Sequence, residues 1–302
     1  MTQVTTPMGA LPSTQAARRP ARRYRRRMDA PEIPDEVQAY YALGREEQRL
    51  ERGYGLLEAL RTRELLGRWL PPAPAEVLDV GGAAGRYALP LADSGYAVHL
   101  IDPAPLHLRQ AEAASRAARR PLASVRAGDA RALPVAGGSA DAVLLLGPLY
   151  HLTERADRVR ALREAARVLR PGGVVVAAGI TRWASAIDGV VAGYLREAEF
   201  GDIVAGDLAD GVHRNATGRP GWFTTAYFHR PEDLLAEVVE AGFAADGPVA
   251  VEGVGRLSPD PDALLGDPAT RERLLGVIRA TEREPALLGA GSHLLVAGRL
   301  PA

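Results

Sequence analysis

The stretch Val77-Leu-Asp-Val-Gly-Gly-Ala-Ala-Gly-Arg86, followed by His99-Leu-Ile-Asp102, restricts the fold of this chain more than any other. A short apolar run meets a glycine-rich turn, a helical segment follows, and a second apolar run closes on a carboxylate. Glycine allows a sharp bend with positive φ and lets a ligand approach the main chain, while the N-terminus of the next helix attracts anions. Together these features describe one half of a nucleotide-binding α/β sheet.

The same rhythm continues downstream. Apolar runs at Glu76–Val80, Ala97–Ile101, Val125–Ala127, Ala142–Leu146 and Val174–Ala178 alternate with helical patterns at Gly85–Ser94, Leu106–Arg119 and Arg155–Leu169. Runs apolar at consecutive positions suit strands buried on both faces, as in a parallel sheet covered by helices. Before this core, residues 34–69 carry leucines at helical spacing with a break at Gly53-Tyr-Gly55, and Pro71, Pro72 and Pro74 end that unit. After it, residues 181–230 hold seven of the sixteen aromatic side chains. A helix at Pro231–Ala241, a strand at Pro248–Val254, a helix at Thr270–Arg283 and a strand at His293–Arg299 complete the pattern. The expected organisation is an Arg-rich disordered tail (1–30), an N-terminal helical lid (31–75), the ligand-binding core (76–180), an aromatic cap (181–230) and a return to the core sheet (231–302).

Composition removes several chemistries. The chain of 302 residues has no cysteine, which excludes disulfides, thiolate metal sites and a cysteine nucleophile. It has no lysine, so every basic side chain is arginine and Schiff-base catalysis is excluded. No apolar run approaches the roughly 18–20 residues that span a bilayer. Seven arginines and no acid in residues 1–27 leave the remainder with a formal charge of −7, because the whole chain sums to zero. That acidic body does not suit nucleic acid, and the acidic stretch after Arg27 replaces the apolar region of an export signal. The expected location is the cytoplasm.

The turn reads Asp79-x-Gly81-x-Ala83-x-Gly85, whereas a dinucleotide fingerprint needs glycines at 81, 83 and 86. Asp102 ends the second strand 17 positions after Gly85. Gly128-Asp129-Ala130 follows the third strand, Gly147-Pro-Leu-Tyr-His151 the fourth, and Leu169-Arg-Pro-Gly-Gly173 precedes the fifth. In this order the five elements resemble the class I S-adenosylmethionine (SAM)-dependent methyltransferases, with the middle glycine of D-x-G-x-G-x-G replaced by Ala83. The resemblance covers residues 76–180 well, and 34–75 and 222–299 more loosely.

The resemblance implies an α/β fold: a seven-stranded, mostly parallel Rossmann-like methyltransferase sheet with an N-terminal helical lid and a cap inserted after the fifth strand. It implies SAM as cofactor and S-adenosyl-L-homocysteine as product. Cofactor contacts are expected from Asp79, Gly81, Gly82, Gly85, Asp102, Pro103, Asp129, Ala130, Leu146 and Gly147. Asp79 either orients the turn or meets the SAM amino group. Asp102 would accept the ribose hydroxyls, Pro103 after it arguing against simple helix capping, and Asp129 would meet the adenine amino group or form an Asx turn. Tyr40, Tyr41, Arg45, Arg49 and Arg61 could bind the methionine carboxylate; Tyr41 and Arg61 are preferred. The Gly147–Leu152 loop lacks the amide or carboxylate of adenine- and glutamine-directed enzymes, and offers no metal-binding carboxylates.

The acceptor is therefore expected to be a small metabolite, natural products included, methylated on O or N beneath Tyr150, Trp183, Trp222, Tyr227 and Phe228. If a base is required, His151 comes first and His229 second. Neither a metal, a membrane nor a nucleic acid is expected as partner, and apolar helices within 264–289 could serve a homodimer. Two other readings stay open: a peptide or RNA methyltransferase docking through the Arg-rich tail, and a SAM-binding protein that does not methylate.

Overall fold

Alternation along the strands decides the architecture. In β1 (Glu76–Val80), Leu78 and Val80 join one buried cluster with Val143 and Leu145 of β4 (Ala140–Leu145) and Val175 and Ala177 of β5 (Leu169–Thr181). Their neighbours Val77, Ala142, Leu144, Val174 and Val176 join a second cluster on the opposite face. Period-two side chains thus feed two cores, which is why these strands read as continuous apolar runs. The first core is closed by α6 (Arg155–Val168) and α9 (Pro231–Glu240), through Leu162, Ala165, Leu234 and Val238. The second is closed by α2 (Gly53–Trp69), α3 (Ala88–Asp93) and α4 (Pro105–Ala117), through Leu65, Leu66, Ala88, Ala92 and Ala111.

This computed structural model describes residues 1–2, 35–42 and 50–302. Nearly all of the Arg-rich tail lies outside the described residues, as do Arg45 and Arg49. Among the described residues no helix is long and apolar enough to cross a membrane.

β3 (Ser124–Ala127), β2 (Ala97–Asp102), β1, β4 and β5 run parallel in that spatial order. β9 (His293–Arg299) lies antiparallel beside β5, and β8 (Ala244–Ala250) antiparallel beside β9. These are the seven expected strands, but among the described residues the sheet has nine. The other two come from residues 181–230, where α7 (Ala184–Val191) and α8 (Ala198–Asp210) lead to β6 (Val212–His213) and β7 (Ala226–His229). Ile180 pairs with His293 on one edge and Phe228 on the other, so β7 extends the edge that β4 leaves at Leu145. The segment is grafted onto the sheet's carboxyl end.

Three expectations change. Gly53 opens α2, so the break expected at Gly53–Gly55 falls just before it. β5 starts at Leu169, because the Leu169–Gly173 turn forms an irregularity opposite Ala140 and Ala142. α2 is part of the core and not a lid. Its Leu57 also packs on Leu265, Leu275 and Ile278 of α10 (Pro261–Gly266) and α11 (Pro268–Thr281), so these apolar residues of the 264–289 region are used within the chain.

One buried ion pair fixes the loop after β4. Arg158 of α6 and Glu237 of α9 are both almost fully buried, and the guanidinium also donates to the carbonyls of Leu152 and Thr153 at 2.8 Å. Removing one partner strands a buried charge. Arg158→Ala is therefore expected to lower stability in urea unfolding by about 3–5 kcal/mol, against less than ~1 kcal/mol for the exposed pair partner Arg163→Ala.

Candidate functional site

β1 has β2 on one side and β4 on the other, so the chain leaves β1 in opposite directions across the sheet. Such a switch point opens a crevice beyond the carboxyl ends of the strands. The glycine turn borders it. Gly81 has φ +71°, and a Cβ there would come within 2.7 Å of Pro148, the first residue of α5 (Pro148–His151). A Cβ at Gly82 would lie 2.6 Å from Asp79 Oδ2, and Gly85 has φ +87°.

Ala83 resolves the departure from the glycine pattern. It adopts φ +46°, a left-handed conformation that costs an alanine about 1–2 kcal/mol. Its N–H donates to Asp102 Oδ2 at 2.9 Å, so the backbone keeps the glycine-type turn despite the methyl group. Asp102 Oδ1 accepts from Ala104 N–H at 2.8 Å and from His107 Nδ1 at 3.1 Å. The carboxylate therefore does organise the start of α4. Pro103 does not prevent this, because the donors come from residues beyond its exposed ring.

Asp79 lies beside Asp102 and is likewise buried. Burial and the Asp102 charge push its carboxyl up to about 7, against the opposing Ala88 backbone N–H. Among the described residues, its Oδ2 has no hydrogen-bond partner, and neither has the buried Nε2 of His107. Two adjacent buried acids, one with an unused oxygen, fit a ligand that brings positive charge and hydroxyl donors. SAM carries both, so the residues present fit this cofactor.

Other expected contacts are placed differently. Asp129 Oδ1 accepts from the Arg131 backbone N–H at 2.7 Å, and both its oxygens take the Arg131 guanidinium. That makes it the anchor of a turn, not an open acceptor for adenine. Arg61 is fully buried, paired with Glu64 and Glu282 and donating to Val251 O, so it cannot reach a methionine carboxylate. Ala130 is buried in the first core, Leu146 packs against the second, and a Cβ at Gly147 would lie 3.5 Å from Gly81 O.

Tyr41, on α1 (Asp35–Ala42), bridges the two sides of the crevice. Its ring meets those of His107 and His151 edge-on at 5.2 Å, and its hydroxyl lies 2.5 Å from His151 Nε2. Burial lowers the His151 imidazole to about 4, which the Thr225 backbone and the Asp102 charge offset only in part. The ring is thus neutral near pH 7, and its Nε2 accepts a hydrogen bond from the Tyr41 hydroxyl. Thr225 Oγ1 donates to Glu36 Oε1 at 3.0 Å, tying α1 to the segment that follows the fifth strand.

Next to Tyr41 lies a cavity of about 230 Å³, with Tyr40, Tyr41, Tyr150, Trp222, Phe223 and Phe228 in its wall. Ser185, Asp188, His213, Ser292 and His293 add polar groups. Of the five expected acceptor residues, Tyr150, Trp222 and Phe228 reach the cavity. Trp183 instead packs on Gly289, and Tyr227 lies under the Arg158 guanidinium at 3.6 Å. His229 is fully buried beside Glu237 and Gly179, so it cannot serve as a base for a molecule in the cavity.

Sequence reasoning did not single out Phe223, whose ring neighbours Tyr40, Tyr150, His151 and His213. It has φ +66° and ψ −167°, a region open almost only to glycine. Asn215 holds it there, donating to the carbonyls of Phe223 and Arg219 at 2.8 Å. No local signal marks a phenylalanine for such strain; it shows only once Asn215 is placed. His107 and His293 were likewise invisible as site residues, since each gains meaning from a carboxylate that the fold supplies.

Ala83→Gly is expected to raise stability by roughly 0.5–1 kcal/mol in urea unfolding, as relief of left-handed strain outweighs glycine's added chain entropy. Gly82→Ala is expected to destabilise, because its methyl meets Asp79; equal stabilities for the two variants would contradict this geometry.

A family model described as a methyltransferase domain matches residues 78–177. An uncharacterized methyltransferase of Mycobacterium tuberculosis is 35% identical over 192 residues, which is 61% of this chain and 71% of that protein. A ubiquinone biosynthesis O-methyltransferase of Methylocella silvestris is 38% identical over 116 residues, covering 37% of this chain and 43% of that one. Among solved structures, a SAM-dependent methyltransferase of Methanosarcina mazei has a TM-score of 0.53 at 18% identity, covering 79% of this chain and 98% of that one. The cyclase SpnF has a TM-score of 0.57 at 20% identity, covering 90% and 98%. With its glycine turn, paired carboxylates and sheet order, the chain belongs to the class I SAM-dependent methyltransferases.

Proposed function

We propose that this enzyme transfers the SAM methyl group to an oxygen or nitrogen atom of a small aromatic molecule held in the cavity beside Tyr41. The carrying observation is the position of that aromatic-walled cavity. It abuts the glycine turn through Tyr150 and Gly147, and the cofactor crevice through Tyr41. A volume of about 230 Å³ suits a group of one or two rings. The likeness to a ubiquinone biosynthesis O-methyltransferase supports an oxygen atom as the acceptor.

When bound, SAM supplies a methyl group on a sulfonium, a strong electrophile with a neutral leaving group. The chain's own residues align, desolvate and counter charge. Asp79 and Asp102 lie where negative charge favours a cationic cofactor. The segment 181–230 acts as a cap: Trp222, Phe223 and Phe228 give the acceptor ring an apolar bed and exclude water. Tyr41 and His151 close the junction between crevice and cavity. With its imidazole near 4, His151 is a poor match for proton abstraction at neutral pH and serves instead as the acceptor that seats Tyr41.

The first test is calorimetry with SAM, followed by mass spectrometry for a product heavier by CH₂ from aromatic candidates. Binding with product is expected; binding without product from any acceptor would favour a SAM-binding protein that does not methylate.

Asp79 adds a pH dependence with a defined sign. Its folded-state carboxyl stands near 7 against an ordinary 3.8, so the folded chain holds a proton that the unfolded chain lacks between these values. This group's contribution to ligand-free stability is therefore lost as pH rises through about 7, while the ionised form that attracts SAM is gained. SAM affinity is expected to rise from about pH 6 to pH 8, and Asp79→Asn to flatten that rise. An equal slope in the variant would remove Asp79 from the cofactor site.

A further inference from the structure

Helices cover the two faces of the sheet unequally near its β3 edge. On the second-core face, Ala111 of α4 packs with Val98 and Leu100 of β2. On the first-core face no helix crosses, because residues 128–139, which join β3 to β4, contain none. A groove of about 360 Å³ is left there, with Leu78, Ile101, Pro134 and Val135 in its wall. Glu76 and Ser124, the first residues of β1 and β3, also line it. It therefore lies toward the amino ends of the strands, whereas the cofactor crevice lies beyond their carboxyl ends.

Three polar side chains form one hydrogen-bonded line in this groove. Leu78, His99 and Ser124 are in register across β1, β2 and β3, so all three share a face, and Glu76 joins it two positions before Leu78. His99 Nδ1 lies 2.8 Å from Ser124 Oγ, and His99 Nε2 lies 2.8 Å from Glu76 Oε2. Asp141 anchors the far end. Its Oδ2 accepts the Glu76 backbone N–H at 2.8 Å, and its Oδ1 takes the guanidinium of Arg170, another lining residue, at 2.6 Å. Arg126, two positions after Ser124 on β3, brings a further cation to the groove.

We propose that Ser124, His99 and Glu76 form a second catalytic site, which hydrolyses small carboxylic esters independently of SAM. Acyl transfer needs a hydroxyl nucleophile, a base within hydrogen-bond reach of it and a group that orients the base. The Glu76 carboxylate keeps the imidazole proton on Nε2, so Nδ1 accepts the Ser124 O–H and takes its proton. The two ring nitrogens exchange the roles they hold in the common serine-hydrolase arrangement, which alters no step. His213 also neighbours a serine, Ser185, but Asp207 Oδ2 at 2.9 Å and Trp222 O at 2.8 Å engage both its nitrogens. The Arg126 guanidinium supplies positive charge for the carbonyl oxygen as it becomes an oxyanion, and the apolar wall suits a short acyl chain.

In the first step Ser124 Oγ bonds to the ester carbonyl carbon, its proton passes to His99 Nδ1, and the carbonyl π pair moves onto oxygen. Collapse of this adduct breaks the carbon–alkoxy bond, and the imidazolium protonates the departing alkoxide. Water then attacks the acyl group on Ser124 and gives a proton to Nδ1. The second collapse returns that proton to Ser124 Oγ. Ester and water thus become a carboxylic acid and an alcohol, with no redox change.

The test uses the full chain without SAM. Release of 4-nitrophenol from 4-nitrophenyl butyrate is followed at about pH 8, and protein treated with a fluorophosphonate is mapped by mass spectrometry. Hydrolysis above the buffer rate and a phosphonyl adduct on Ser124 are expected. Ser124→Ala and His99→Gln are each expected to keep the parent's urea midpoint and lose about 100-fold or more of the hydrolysis. Glu76→Gln, a positioning change, should lower hydrolysis less and displace its pH profile. Parent hydrolysis no faster than buffer, absence of the adduct from Ser124, or hydrolysis retained by a folded Ser124→Ala would overturn the proposal. The adduct is read on the parent, so it decides even where a variant fails to fold. Methyl transfer plays no part in these measurements, and their outcome leaves the function proposed above untouched.

Discussion

Two carboxylates buried side by side are the constraint around which the site is built. Asp79 lies next to the end of β1 and Asp102 ends the neighbouring parallel β2, and burial together with the Asp102 charge disfavours ionisation of Asp79. Asp102 is compensated by the Ala83 and Ala104 N–H groups and the His107 imidazole. Asp79 is compensated less, and keeps one oxygen without a partner among the described residues. The glycine turn exists to allow this crowding: a side chain at Gly82 would strike Asp79, one at Gly81 would strike Pro148, and Ala83 tolerates strain to hold Asp102. A cationic cofactor relieves the conflict, which ties affinity for SAM to the instability of its ligand-free site.

A second reservoir of strain lies across the crevice. Phe223 holds a backbone conformation suited to glycine, kept by Asn215, and thereby brings its ring among Tyr40, Tyr150 and His151. The cavity wall is therefore set by a loop that the sheet does not determine. α1 adds Tyr40 and Tyr41 from one side, the 220–223 segment adds Trp222 and Phe223 from the other, and β9 supplies His293 from beneath. Cofactor and acceptor sides meet at the Tyr41–His151 hydrogen bond.

The sheet was legible because burial on both faces writes itself into consecutive apolar residues, and all five core strands fall within a few residues of their expected places. Asp102 was legible for a related reason: a carboxylate closing an apolar strand must have a partner. Residues whose roles depend on distant partners were not. Arg61 reads as an exposed helical arginine until Glu282, 221 positions away, is folded against it. His229 and Tyr227 look like cap residues until Glu237 and Arg158 draw them under the sheet edge. His293 reads as a strand start until Glu252, 41 positions away, is folded against it. The two extra strands were missed because two- and four-residue segments carry too little periodicity to register.

If the paired carboxylates beneath the glycine turn hold the cationic end of the cofactor, a bound ligand must place its ammonium group there. A crystal structure of the full chain with S-adenosylhomocysteine tests it most directly. The ligand's ammonium group is expected within hydrogen-bond distance of Asp79 Oδ2, with Asp102 retaining the Ala83 N–H. A ligand bound with its ammonium elsewhere, and Asp79 Oδ2 still without a partner, would contradict it.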